Sequence, residues 1–242
     1  MHEEIAQVFS DGGLLSQHID GYAPRPQQLE MANTIAETLS DSTVLIAEAG
    51  TGTGKTFAYL VPAILSGQKI IISTGTKNLQ DQLFSRDLPT LRKALAVPFQ
   101  AALLKGRSNY LCHYRLDLAQ HDPLQAQYSD TLYNLQVWSG QTRTGDLSEE
   151  DILEDGSSLW PKVTSTVDNC LGQACPNNTE CFINEARKTA QEADILVVNH
   201  HLLMSDMSLK SSGHGEVLPS ADGYIIDEAH QLPDIATQFL GD

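Results

Sequence analysis

The sequence predicts an α/β fold: a parallel sheet carrying a phosphate-cradling loop. Three observations lead there. Short apolar runs of strand length, such as Lys69–Ser73 and Ile195–Val198, alternate with segments of helical period, as in a parallel sheet covered on both faces. The turn Ala49-Gly50-Thr51-Gly52-Thr53-Gly54-Lys55-Thr56 lies between one such run and one such helix. Finally, Tyr224-Ile225-Ile226 runs straight into Asp227-Glu228-Ala229-His230, which sets two carboxylates at the carboxyl end of a strand, where open parallel sheets bind ligands.

Pro26 opens the first long helix, with Leu29, Ala32, Ile35, Ala36 and Leu39 on one face. Val44-Leu45-Ile46-Ala47 reads as the strand before the glycine-rich turn, and Lys55 to Leu65 as the helix after it. Next come a buried strand at Lys69–Ser73 and a helix near Asn78–Phe84. Three further strands are expected at Ala101–Leu104, Ile195–Val198 and Tyr224–Asp227. Residues 106–190 break this rhythm and read as an insertion in the sheet domain; they hold all four cysteines, both tryptophans and the acidic run Asp146–Asp155, expected as a solvated helix or loop.

The chemistry of the turn is specific. Glycines at 50, 52 and 54 let backbone N–H groups, those of Thr51 and Thr53 included, point at phosphate oxygens, and the helix after the turn adds its dipole. Lys55 would reach the β- and γ-phosphates and the Thr56 hydroxyl would ligate Mg²⁺. Ala49 stands where the strict pattern has glycine. Asp227 suits an indirect, water-mediated hold on Mg²⁺, and Glu228 suits polarising the attacking water. An Asp-Glu pair that merely caps a helix is the alternative, and the presence of the phosphate loop argues against it.

Cys112, Cys170, Cys175 and Cys181 are separated by 57, 4 and 5 residues. Zinc fingers and ribbons carry tight two-to-four-residue pairs at both ends, which this spacing lacks, whereas Cys₄ ligation of iron–sulfur clusters tolerates varied loops. From the residues alone, a cluster, a zinc ion and inert thiols all stay open. His113, His121 and the pair His200-His201 are read as packed or hydrogen-bonded, not as ligands.

Ala49–Thr56 and Asp227–His230 resemble motifs I and II of superfamily 2 helicases. With Gly21-Tyr22-Ala23-Pro24-Arg25-Pro26-Gln27-Gln28, Lys105–Cys112 and Val198–Leu202, the chain resembles the XPD/DinG family of iron–sulfur DNA helicases over nearly its whole length. The resemblance implies a RecA-like P-loop NTPase core over 1–105 and 191–242, with an iron–sulfur domain inserted at 106–190. It places Arg25 and Gln28 in an adenine-reading segment, and Cys112, Cys170, Cys175 and Cys181 on the ligands of a [4Fe–4S] cluster that staples a domain with a poor core of its own. It assigns Ser73–Thr76, Lys77 and Gln80 to a DNA-backbone segment; Lys105, Arg107 and Tyr110 are further candidates for contact with single-stranded DNA. The implied activity is ATP- and Mg²⁺-dependent 5′–3′ movement on single-stranded or forked DNA, in repair or replication rescue. The competing reading is a non-motor nucleotide-binding module with a structural zinc or a redox-sensing Cys₄ site.

Charge alone would not suggest DNA: 31 acids face 15 bases, a net charge of −16. No apolar run approaches the roughly 18 residues of a membrane span, and Met1-His2-Glu3-Glu4 lacks a signal peptide's basic start. A cytoplasmic protein, on the nucleoid when bound to DNA, is therefore expected. The chain ends 15 residues after Asp227, before the later helicase motifs, so the expectation is the N-terminal portion of a longer helicase, nearly inactive alone.

Overall fold

The computed structural model describes residues 1–50, 52–150, 152–154, 156–213 and 216–240. It divides into two compact units, one formed by 1–103 with 190–242 and the other by 104–189. Each has its own buried core.

The first unit is an α/β layer structure. Four strands, β1 (Ile70–Thr74), β2 (Ala101–Leu103), β3 (Ile195–Asn199) and β4 (Gly223–Ile226), form a parallel sheet in the order β2-β3-β1-β4. Ile70, Ile71 and Ile72 are fully buried and so, within 1%, are Ile195 to Val198, as a sheet covered on both faces requires. In register, Ser73 lies opposite Val198 on one side and Ile226 on the other, so the carboxyl ends of β1, β3 and β4 come level. The residues just beyond these strands therefore share one edge of the sheet: Gly75 and Thr76 after β1, His200 after β3, Asp227 and Glu228 after β4.

The helices form where the apolar period and the proline predict. Pro26–Asp41 starts with Pro at its first position and buries Ala32, Ile35 and Ala36. Lys55–Leu65 is apolar nearly all round and is correspondingly buried from Ala58 to Ile64. The helix expected at Asn78–Phe84 spans Lys77–Gln82 and passes through a π-turn at Leu83–Asp87 into the helix Leu88–Leu95.

One expected strand is absent. Val44–Ala47 joins no ladder, and Val44 and Ile46 are 92% and 94% exposed. Only Leu45 packs on the core. The segment alternates as a strand does, but no described strand runs beside it to take up its N–H and C=O groups.

The second unit corrects two expectations. Its core is not poor: Leu116, Leu135, Leu147, Leu159 and Val163 are buried to 1%, 0%, 2%, 0% and 0% exposure. Nor is the acidic run wholly solvated. Asp146 is buried, accepts from the Ser148 amide (3.0 Å) and hydroxyl (2.8 Å), and pairs with Lys105 Nζ at 2.7 Å. Asp151 and Asp155 lie outside the described residues. Among the described residues no helix is long and apolar enough to cross a membrane.

Candidate functional site: a phosphate loop facing two carboxylates

Gly54 forms the N-cap of the helix Lys55–Leu65 at φ +83°, and Gly52 sits at φ +77°. Both are left-handed conformations that glycine adopts without cost. Among the described residues no side chain caps this helix, which leaves its first N–H groups able to meet a ligand. Thr53 folds the loop back, donating from its amide and its hydroxyl to the Gly50 carbonyl at 3.4 and 2.9 Å. Thr51 lies outside the described residues.

Gln28 is buried under this loop. Its Nε2 donates to the Gly54 carbonyl at 2.9 Å, and its Oε1 accepts from the Tyr22 hydroxyl at 3.2 Å. A Cβ on Gly54 would collide with the Gln28 amide, a second reason for glycine there. The amide keeps one donor and one acceptor beyond these bonds, enough for a base edge. Arg25 is exposed, and its guanidinium approaches Gly54. A cavity of about 450 Å³ opens here, lined by Gln27, Gln28, Met31, Leu45, Gly50, Thr53 and Lys55 among others. Met31 and Leu45 supply an apolar wall with no functional signal in the sequence, because both read as ordinary core positions.

The two halves of the expected site meet. Lys55 Nζ lies 3.4 Å from Glu228 Oε1, and the two side chains are 31% and 29% exposed. His230 Nδ1 approaches the other Glu228 oxygen at 3.4 Å. Asp227 is held on several sides: its amide donates to Ser73 O at 2.9 Å, Oδ1 accepts from the Glu228 amide at 3.1 Å, and Oδ2 accepts from the Tyr59 hydroxyl at 3.1 Å. Glu228 itself sits in the left-handed region at φ +55°, a conformation uncommon for a non-glycine residue and often stored at functional turns.

Tyr59 carries no functional signal in the sequence, although its position one turn after Thr56 puts it on the same helix face. Burial, and then the Asp227 carboxylate, push its phenol well above the ordinary range, so it is a hydrogen-bond donor to Asp227. Tyr59→Phe should lower the unfolding free energy by about 1.5 kcal/mol, the low end for a hydrogen bond to a charged group. Urea unfolding followed by far-UV circular dichroism reads this; an unchanged midpoint would show that the hydroxyl does not hold Asp227.

Several residues expected to face DNA are turned inward instead. Ser73, Thr74 and Gln80 are fully buried. The Ser73 hydroxyl bonds His200 Nδ1 at 2.7 Å, and His200 Nε2 is buried without a hydrogen-bond partner among the described residues. Burial lowers the pKa of His200, and the neighbouring Asp227 and Glu228 backbone only partly offsets it. Gly75 accommodates the Gln231 amide, which a Cβ would strike. Thr76 and Lys77 remain exposed. In the second unit, Lys105 is 3% exposed and ion-paired, while the Tyr110 hydroxyl, also buried, accepts from the Lys105 amide at 3.0 Å. Neither is presented to a nucleic acid; Arg107 is half-buried.

The four cysteines line one pocket of about 360 Å³ in the second unit, and all four are half-buried. Burial pushes the Cys112 thiol up, the Arg115 amide pulls it back, Cys175 and Cys181 raise it again, and the Tyr114 amide lowers it. The Gly172 amide donates to Cys170 Sγ at 3.4 Å. Among the described residues no group of three or more His, Cys, Asp or Glu is gathered around a point where one metal ion could sit. His113 stacks on Phe182 at 4.7 Å between ring centroids.

A family model described as DEAD/DEAH box helicase matches residues 25–112. The chain carries a DEAD/DEAH box helicase domain. It is 52% identical over 240 residues to the ATP-dependent DNA helicase YoaA of Haemophilus influenzae, a match covering 98% of this chain and 38% of that protein. It is also 52% identical over 236 residues to YoaA of Escherichia coli, covering 96% and 37%. The 3′-5′ exonuclease DinG of Bacillus subtilis is 33% identical over 233 residues, covering 94% and 24%. The chain thus spans little more than a third of the length of the YoaA relatives it matches. With that domain assigned, the parallel sheet is RecA-like.

Proposed function

We propose that this chain is the ATP-binding and iron–sulfur part of an ATP-dependent 5′–3′ DNA helicase, working on single-stranded or forked DNA in the cytoplasm during repair or replication rescue. The observation that carries the nucleotide half is the 3.4 Å approach of Lys55 to Glu228 across the mouth of the phosphate loop. A terminal phosphate bound between them would take the Lys55 ammonium as its counter-charge. Gly50 to Gly54 and the open helix N-terminus would cradle the other phosphates, Thr51 contributing its amide. Gln28, with Arg25 beside it, would read the adenine edge. Thr56 and Asp227 would hold Mg²⁺, which neutralises charge on the β- and γ-oxygens. Glu228, freed from Lys55 by the arriving phosphate, would accept the hydrogen bond of the attacking water and orient it in line.

The second half of the proposal is that Cys112, Cys170, Cys175 and Cys181 hold a [4Fe–4S] cluster. Support comes from the fit: four thiols share one pocket, and the Gly172 amide donates to Cys170 Sγ, the kind of hydrogen bond that tunes a cluster's sulfurs. A zinc ion at about 2.3 Å from each sulfur would need the thiols drawn around one point, and among the described residues no three such groups are so gathered.

Two measurements test the reading. Protein purified anaerobically should contain about four iron and four acid-labile sulfide per chain; stoichiometric zinc without sulfide would sink the cluster. A strand-displacement assay on the whole helicase should show ATP-dependent unwinding that Glu228→Gln abolishes while leaving ATP binding intact. Unwinding that survives Glu228→Gln would remove Glu228 from the chemistry.

A further inference from the structure

The wall of the four-cysteine pocket has an unusual charge. Acids outnumber bases about two to one in the chain, 31 to 15, yet no aspartate or glutamate is among the described residues lining this pocket. Arg107 and Arg187 both line it. Neither makes an ion pair or a side-chain hydrogen bond among the described residues, and both are half-buried. Two neighbouring cations that share a pocket and lack carboxylate partners repel each other and lose part of their hydration. Such a wall is balanced only when its occupant is an anion.

We infer that Arg187 compensates the negative charge of a thiolate-bound cluster in this pocket and thereby raises the cluster's reduction potential. This inference rests on the iron–sulfur reading. A [4Fe–4S]²⁺ core with four thiolates carries a net charge of −2, and one electron takes it to −3. A guanidinium lining the same pocket as the sulfurs stabilises the −3 state more than the −2 state, because Coulomb attraction scales with the product of the charges. Net charge around the cluster is one of the established controls on its potential. Arg187 is therefore a positioning and tuning residue, acting through the cluster and not on the nucleotide. Arg107 adds to the same field from the other lining segment.

The test is a dithionite titration of the anaerobically reconstituted 242-residue chain, with the reduced fraction read by electron paramagnetic resonance. Four proteins are compared: wild type, Arg187→Gln, Arg187→Lys and Lys188→Gln. Lys188 is the exposed neighbour on the same helix and does not line the pocket, so its replacement removes an equal formal charge without touching the proposed role. At the wild-type midpoint the reduced-to-oxidised ratio of Arg187→Gln should fall by about tenfold, which is about 59 mV for one electron. Arg187→Lys should keep the wild-type midpoint, and Lys188→Gln should move it far less. An Arg187→Gln midpoint equal to wild type, or an equal shift in Lys188→Gln, would overturn the inference while leaving the cluster in place. If Arg187→Gln loses its iron, recovery of iron and midpoint in Arg187→Lys supports charge compensation; failure to recover overturns it in favour of a packing role for the guanidinium. A wild-type chain that takes up no iron and sulfide fails at the earlier step, and the cluster reading falls with it.

Discussion

Lys55→Ala should weaken ATP binding by about ten- to a hundredfold, the loss of one charge-assisted bond worth about 1.5–3 kcal/mol. The ammonium stands 3.4 Å from Glu228, so in the free protein it offsets a carboxylate, and in the complex it would turn to the phosphates. Removing it does double damage. The phosphates lose their counter-charge, and Glu228 is left facing them with its own negative charge. ADP should be affected less than ATP if, as proposed, the last phosphate binds nearest Glu228. Fluorescent-nucleotide titration with ATP, ADP and GTP reads all of this. GTP should bind more weakly than ATP to the wild type if Gln28 reads adenine. Equal ATP affinity in Lys55→Ala would remove Lys55 from the site, and equal affinity for the two purines would remove Gln28.

The parts of the site that were legible in the sequence were those fixed by local chain geometry. Gly54 needs a positive φ and a bare Cα against Gln28, so its necessity is written into one residue type. Asp227 and Glu228 come directly after an apolar run, so the end of β4 could be read as their position. Pro26 and the helical period marked the helix that carries Gln28. What escaped were side chains whose role depends on a partner far along the chain. Lys105 looks like a surface cation until Asp146, 41 positions later, is seen at 2.7 Å. Ser73 looks like a hydroxyl offered to DNA until His200 closes over it. Tyr59 reads as one more apolar helix residue until its hydroxyl meets Asp227. In each case the chemistry of the residue is unchanged and the fold decides what it faces. Val44–Ala47 failed differently: its alternation is strand-like, but a strand exists only where a neighbour takes up its hydrogen bonds.

Asp146→Ala should be the most damaging single change in the second unit, lowering its stability by about 3–5 kcal/mol. The Lys105 and Asp146 side chains are 2% and 7% exposed, which places this pair almost wholly out of water. The carboxylate is also bound by the Ser148 amide and hydroxyl, and the ammonium by Ser148 Oγ at 2.8 Å, so the geometry that makes a buried pair tolerable is present. Taking Asp146 away removes the carboxylate beside a buried ammonium and unties the turn Leu147–Glu149 that it caps. The pair need not be stabilising in itself. Replacing both partners with apolar residues of similar size, Lys105→Met with Asp146→Leu, should recover most of the loss, because buried pairs roughly break even against good packing. Both tryptophans, Trp138 and Trp160, belong to the unit 104–189, so intrinsic fluorescence during urea unfolding reports on it selectively. ATP binding, proposed for the other unit, should survive in Asp146→Ala at low urea. A fluorescence midpoint within about 0.5 kcal/mol of wild type, the range of ordinary surface substitutions, would mean that the pair is a bystander to a fold held by Leu135, Leu147 and Val163 alone.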